Sequence, residues 1–160
     1  MIVAALIALL AWGLLHPAPA RITPLVGRTA PPLTVSAFSG GSYDVAALRG
    51  TPLVVNFWAS WCAPCRAEAP VLADAARANQ GRVQFLGADI QDGEAPARAF
   101  ANDLAVPYPT GVIASGSYLR WGVSAPPETY FIDRRGTVVA RYQGPLDAPT
   151  LAAELSRIVT

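Results

Sequence analysis

VVNFWASWCAPCRAEAP, residues 54–70, opens as an apolar run, places two cysteines three positions apart, and continues in a helical pattern. Pro52 to Trp58 is short, β-rich and almost wholly apolar, as a strand buried on both faces should be. From Cys62 to about Asn79 the spacing is helical. Ala, Leu and Val fall inside, and Arg66, Glu68, Asp74 and Arg77 are available for water. A cysteine in the first turn of a helix meets unpaired backbone N–H groups and the positive end of the dipole, and both favour the thiolate. The spacing therefore predicts Cys62 as the exposed nucleophile. Cys65, one turn along the same side, is then the resolving thiol that attacks a mixed disulfide from inside. Pro64 limits the loop between them and removes one backbone donor. On its own, strand, Cys-x-x-Cys and helix still leave room for a metal site.

Composition narrows that choice. The chain has 160 residues, 52% of them hydrophobic, which suits one domain plus a short appendage. Its formal net charge is +1, so nucleic acid is not an expected partner. The sequence holds 2 cysteines. Two can neither build a disulfide framework nor fill a four-ligand structural zinc site. The single histidine, His16, lies at the end of an apolar leader, away from the pair. No metal and no cofactor are expected.

That leader, MIVAALIALLAWGLL over Met1–Leu15, is unbroken until His16 and Pro17. At ~1.5 Å per residue it spans about 22 Å, short of a hydrocarbon core of about 30 Å. It reads as a signal-peptide core or as part of a membrane anchor. Ala18-Pro19-Ala20 has the small-x-small form of a cleavage site. No basic residue precedes the run, and Arg21 and Arg28 follow it. The expected organisation is a signal or anchor over 1–16, a Pro-rich extended linker over 17–32, and a folded domain over 33–160. Export to the extracytoplasmic side suits a redox pair, because stable disulfides occur there.

Across the domain, Leu33–Phe38 and Tyr43–Val45 read as a hairpin around Ser39-Gly40-Gly41-Ser42, and Ala46–Arg49 as one helical turn. Val83–Ile90 is a second buried strand and Glu94–Leu104 a helix. Tyr108–Ile113 is an extended piece and Ser117–Trp121 a short helix. Thr129–Ile132 and Thr137–Tyr142 are strands across the turn 133–136. Asp147 caps a last helix ending at Ile158. This order predicts an α/β sandwich with a mixed central sheet.

FWASWCAPC at 57–65 resembles the signature of the thioredoxin superfamily. Pro70 matches its helix-kinking proline, and GVSAPPETYFID at 122–133 is similar to the segment that carries its cis-proline, here Pro127. The resemblance covers roughly residues 30–158. It implies a thioredoxin-like three-layer α/β fold with a mixed central sheet and an N-terminal β-hairpin extension. The apolar leader, the early hairpin and Pro127-Glu128-Thr129 are similar to the TlpA/ResA/DsbE (CcmG)-like branch. Its members are anchored or exported bacterial proteins, some serving cytochrome c maturation. The resemblance thus implies a protein dithiol–disulfide oxidoreductase that opens the disulfide of an apocytochrome's Cys-x-x-Cys-His. Expected partners are that protein substrate, a membrane thiol–disulfide electron donor, and the membrane through the N-terminal segment. The expected state is a monomer.

Two departures from thioredoxin matter. Asn56 stands where thioredoxin carries a buried Asp that accepts the proton of the second thiol. Glu68, one helical turn past Cys65, is the proposed replacement, and Glu128, beside Pro127, is a second candidate. Pro126 stands before the cis-proline, where the superfamily pairs its backbone with substrate in β fashion. Lacking an N–H, Pro126 cannot make one of those bonds, so substrate should be held differently. Trp61 is assigned to the docking surface with Pro126, Pro127 and Glu128. Trp58 is open between site and core, and Trp121 and Tyr130 are read as core. Competing functions are a general disulfide oxidoreductase of exported proteins, a chaperone-like holder, and a Cu(I)-binding module.

Overall fold

The computed structural model describes residues 25–159. The apolar leader and the first half of the linker lie outside the described residues. Seven strands form one sheet in the order β2-β1-β5-β4-β3-β6-β7. They are β1 (Leu33–Ala37), β2 (Ser42–Asp44), β3 (Leu53–Trp58), β4 (Gln84–Asp89), β5 (Thr110–Gly116), β6 (Glu128–Ile132) and β7 (Val138–Gln143). The helices are α1 (Ala63–Ala78), α2 (Glu94–Asp103) and α3 (Ala148–Val159), with a 3-10 turn at Tyr118–Trp121.

β3 pairs parallel with β4, and β4 with β5; the other pairings are antiparallel. The sheet is mixed for that reason. Both parallel connections step the same way across it, so right-handed crossovers put α1 and α2 on one face. Stacking of Trp58 on Phe100 at 4.8 Å ties β3 to α2 there, and Arg66 of α1 lies over the same ring at 4.7 Å. α3 joins this face. Leu151, Leu155 and Ile158 pack with Leu72 of α1 and with Val54, Phe85 and Phe131 of the sheet. The alternate residues of β3, Leu53, Val55 and Phe57, face the other way into a core with Trp121 and Tyr130. Residues 25–30, Tyr43, Leu48 and the 3-10 turn close over it. Every residue of β3 is buried, which is what its apolar sequence, broken only by Asn56, requires.

Three boundaries differ from the sequence reading. Residues 25–32, read as the end of a linker, belong to the folded unit: Thr29 bridges Thr137, and Gly27 N–H donates to the Val138 carbonyl at 2.8 Å. Prolines at 31 and 32 kept this stretch from reading as a strand, yet it needs only an edge contact with β7. Ala46–Arg49 is a run of turns rather than a helix. Ala47 and Leu48 both donate to the Asp44 carbonyl, and the Asp44 carboxylate takes the Ala46 N–H, so the local bonds close on Asp44. β5 continues to Gly116, beyond Ile113, because β1 pairs with it out to Leu33↔Gly116. Asp147 caps α3 as expected, its Oδ1 accepting from Thr150 N–H at 2.8 Å. Among the described residues no helix is long and apolar enough to cross a membrane.

Candidate active site

β3 delivers the chain to its C-terminal edge, and α1 starts there. Cys62 is the N-cap of α1, and its Sγ accepts from Cys65 N–H at 3.1 Å. The two cysteines form a disulfide, with Cα atoms 5.3 Å apart. Pro64 lies in the first turn, where a missing N–H costs nothing. The expectation that Cys62 is the exposed member needs correction for this oxidised form. Cys62 is 3% exposed and Cys65 2%. Joined to Cys65, the Cys62 sulfur lies in an apolar cluster with Trp58, Ala59 and Phe100.

Trp61 is the outward-facing part of the loop, 58% exposed, with its indole N–H donating to the Gln91 carbonyl at 2.9 Å. Trp58 is core: it is buried, and its indole N–H is satisfied by Thr110 Oγ1 at 2.9 Å. Trp121 and Tyr130 are core as well, packed edge-on to each other and to Phe57. The peptide bond between Pro126 and Pro127 is cis. Pro127 is buried and Pro126 half-buried, and the Pro127 carbonyl accepts from Gly144 N–H at 2.9 Å.

The sequence grouped Glu68 with the water-facing residues of α1 while also naming it a candidate base. It is 1% exposed. One carboxylate oxygen accepts from Asn56 Nδ2 at 2.9 Å and the other from Leu146 N–H at 2.9 Å. Burial raises its pKa from the usual 4.5 to about 7, against the lowering effect of those two hydrogen bonds. Asn56 also donates to Thr129 Oγ1 at 3.0 Å, so the carboxylate is gripped from β3, β6 and the segment ahead of α3. The residue at position 56 that cannot titrate therefore holds the one that can.

Glu128 lies elsewhere. It follows Pro127 at the start of β6, but it alternates with Thr129, and its side chain turns to the face opposite Glu68. It is 1% exposed and pairs with Arg141 at 2.7 Å. It also accepts from Ser124 N–H at 3.0 Å. The two acids proposed from sequence are thus on opposite sides of the sheet. Glu68 belongs to the helix of the cysteines, and Glu128 to a buried ion pair beneath the cis-proline loop.

Four residues around the site escaped the sequence reading. Arg141 is diagonal to Glu128 across the β6–β7 hairpin, but a bulge between Phe131 and Ile132 shifts the register that would have revealed it. Gln91 holds Trp61. Asp92 accepts a hydrogen bond from Ser60 N–H, and Asp89 is buried beside it. The signal for these three was their position at the C-terminal edge of β4, next to β3 in a parallel sheet, where sites gather.

The AhpC/TSA family model matches residues 26–141. Both cysteines of the chain are in the Cys-x-x-Cys motif, so there is no separate peroxidatic cysteine. A thiol:disulfide interchange protein DsbE homolog of Paracoccus denitrificans is 36% identical over 84% of this chain and 76% of the relative. HelX of Rhodobacter capsulatus, a thiol:disulfide interchange protein, is 32% identical over 86% of this chain and 78% of the relative. A crystal structure described as a thiol:disulfide interchange protein DsbE from Chlorobium tepidum superposes with a TM-score of 0.76 at 22% identity, over 84% of this chain and 98% of that one. It shares the thioredoxin-like fold. A secreted Mycobacterium tuberculosis disulfide oxidoreductase superposes at 0.69 with 27% identity, over 78% of this chain and 94% of that one. The chain belongs to the AhpC/TSA family, among its DsbE-type thiol:disulfide interchange proteins, and is a protein dithiol–disulfide oxidoreductase.

Proposed function

We propose that this protein reduces the disulfide of an apocytochrome c Cys-x-x-Cys-His segment on the extracytoplasmic side of a membrane. Cys62 is the nucleophile, Cys65 the resolving thiol, and Glu68 the group that takes the Cys65 proton. The observation that carries the assignment of Glu68 is a buried carboxyl one helical turn past Cys65 whose pKa is about 7. A base with that pKa is half-ionised at neutral pH and can accept a proton and give it back.

The reaction starts from the dithiol. Cys62 thiolate attacks one substrate sulfur, forming a mixed disulfide and releasing the other as a thiolate. Cys65 passes its proton to Glu68 and attacks Cys62 Sγ, which frees the second substrate sulfur. The substrate gains two electrons and leaves as a dithiol, and the protein is left with the Cys62–Cys65 disulfide seen here. A membrane dithiol donor returns the two electrons. The N-terminal apolar segment keeps the domain at the membrane, and one copy is sufficient for the cycle. Trp61 offers an exposed apolar face to the substrate, and Pro126 and Pro127 form the facing wall.

A trap tests the substrate. Cys65→Ala, expressed in the native host, should accumulate a mixed disulfide at Cys62, with apocytochrome c as the dominant partner. A broad set of exported proteins in its place would make this a general oxidoreductase. Glu68→Gln should shift the pH dependence of the second step while leaving formation of the mixed disulfide near its normal rate. An unchanged profile would remove Glu68 from the mechanism.

A further inference from the structure

The loop that presents Cys62 has a second support, made of acids the exchange mechanism does not use. Asp89 ends β4, and the register puts it beside Trp58 at the end of β3. It is only 5% exposed, and among the described residues its Oδ1 has no hydrogen-bond partner. A buried carboxylate oxygen without a donor is costly, and the backbone N–H of Ile90 serves this carboxyl only in part. The side chain it faces is another carboxylate, Asp92. A carboxyl beside a like charge is harder to ionise. Burial first, and the Asp92 charge second, lift the Asp89 pKa from 3.8 to about 7.

Asp92 is fixed by backbone donors. One oxygen accepts from Gly93 N–H at 2.8 Å, and the other from Ser60 N–H. Ser60 is two residues before Cys62. Next to this clamp, Gln91 has a positive φ of 55° and its carbonyl holds the Trp61 indole. A non-glycine residue in that region is kept there only when its surroundings demand it. Gln91 and Asp92 thus seize Ser60 and Trp61 from below, by one carbonyl and one carboxylate. The other charged groups on the surrounding elements are engaged: Glu94 and Arg98 of α2 pair at 2.7 Å, Arg66 of α1 covers Phe100, and Glu68 is bound to Asn56 and Leu146.

We propose that Asp92, backed by the buried Asp89, is a positioning residue for Cys62: it fixes the loop that carries the nucleophile through Ser60 N–H and brings a negative charge to that loop, two residues before the thiol. The charge opposes the stabilisation that the head of α1 gives the Cys62 thiolate. The pair thereby keeps Cys62 from becoming so stable a thiolate that the disulfide is easily reduced, which suits a reductant. The inference rests on exchange at Cys62 and not on the identity of the substrate.

The test is the pH profile of Cys62 alkylation by iodoacetamide in the reduced full chain, with no substrate present. Asp92→Asn keeps an acceptor for Ser60 N–H but removes the charge. It should move the midpoint of the Cys62 profile down by about one pH unit. Asp89→Asn removes a charge that Asp89 carries only above its pKa of about 7, and should move the midpoint by less, about half a pH unit. A purely structural role would change the melting temperature and leave the thiol midpoint alone. A Cys62 midpoint equal to wild type in Asp92→Asn overturns the proposal. If that variant does not fold, an unchanged midpoint in Asp89→Asn does so. Neither result bears on which protein the trapped Cys62 captures.

Discussion

Glu68→Gln should abolish the pH dependence that Glu68 imposes on stability. In the folded protein its pKa is about 7, against 4.5 for an ordinary Glu. A tenfold change in proton affinity is worth about 1.4 kcal/mol, so the rise from 4.5 to about 7 corresponds to ~3 kcal/mol. The folded state holds this proton more tightly than the unfolded chain does. The contribution is therefore fully present below pH 4.5 and is lost as pH climbs through about 7. Gln has no such proton. Its carbonyl can still accept from Asn56 or Leu146, while its amide protons face two donors, which costs about 1 kcal/mol at every pH. Urea unfolding of the disulfide-closed protein, followed by tryptophan fluorescence between about pH 4 and pH 8, measures both. Near pH 4 the variant should be the less stable by about 1 kcal/mol, and near pH 8 the more stable by about 2 kcal/mol. Asp89 titrates in the same window but is common to both proteins, so it cancels in the difference. A wild-type-minus-variant difference that stays flat to within ~0.5 kcal/mol would refute the raised pKa and the proton-accepting role built on it.

Glu128→Gln should cost about 3 kcal/mol in urea unfolding, because it leaves Arg141 buried without its counter-charge. Pro126→Thr supplies the N–H that β-type pairing with a peptide lacks. It should lower KM for a disulfide peptide several-fold with kcat little changed, as steady-state kinetics would show. Trp61→Ala should leave stability within about 0.5 kcal/mol, since the ring is 58% exposed, yet raise KM for a protein substrate. Gly111→Ala should destabilise by about 2 kcal/mol or more, because a Cβ there would meet the Ser36 carbonyl at 2.0 Å and force β1 off β5; calorimetry measures it.

The strand–Cys-x-x-Cys–helix unit was legible because three independent signals coincide in it. Residues 53–58 are apolar with one exception, Asn56, the cysteines follow directly, and a helical period runs on from them. The β6–β7 hairpin and the α3 cap were legible through turn chemistry at 133–136 and through Asp147. Residues 25–32 were not, because their prolines signal a linker and the backbone contacts with β7 are long-range. The burial of Glu68 was hidden for a related reason. Its neighbours on α1 are arginine and alanine, and nothing local shows that Leu146, far along the chain, arrives to bond it. Likewise Asp89 and Asp92 read as ordinary strand-end and loop acids until the parallel pairing of β3 with β4 sets them under Ser60.

Asn56 shows how the site can move its acid without losing it. An Asp at 56 and Glu68 would put two carboxylates at about 2.9 Å, where they would share one proton, and Thr129 would lose its donor. With Asn in place, its amide group serves both Glu68 and Thr129, and the strand contributes no charge. The titrating group then sits on α1, the helix that carries Cys65, so it moves with the resolving thiol if that turn shifts on reduction. Burial alone is left to set its pKa near neutrality, offset by two hydrogen bonds. The same edge of the sheet keeps a second pair, Asp89 and Asp92, on the Cys62 side. On the proposed assignments each cysteine of the exchange has its own carboxyl, Glu68 on the helix behind Cys65 and Asp92 at the loop before Cys62, and the two can be removed separately.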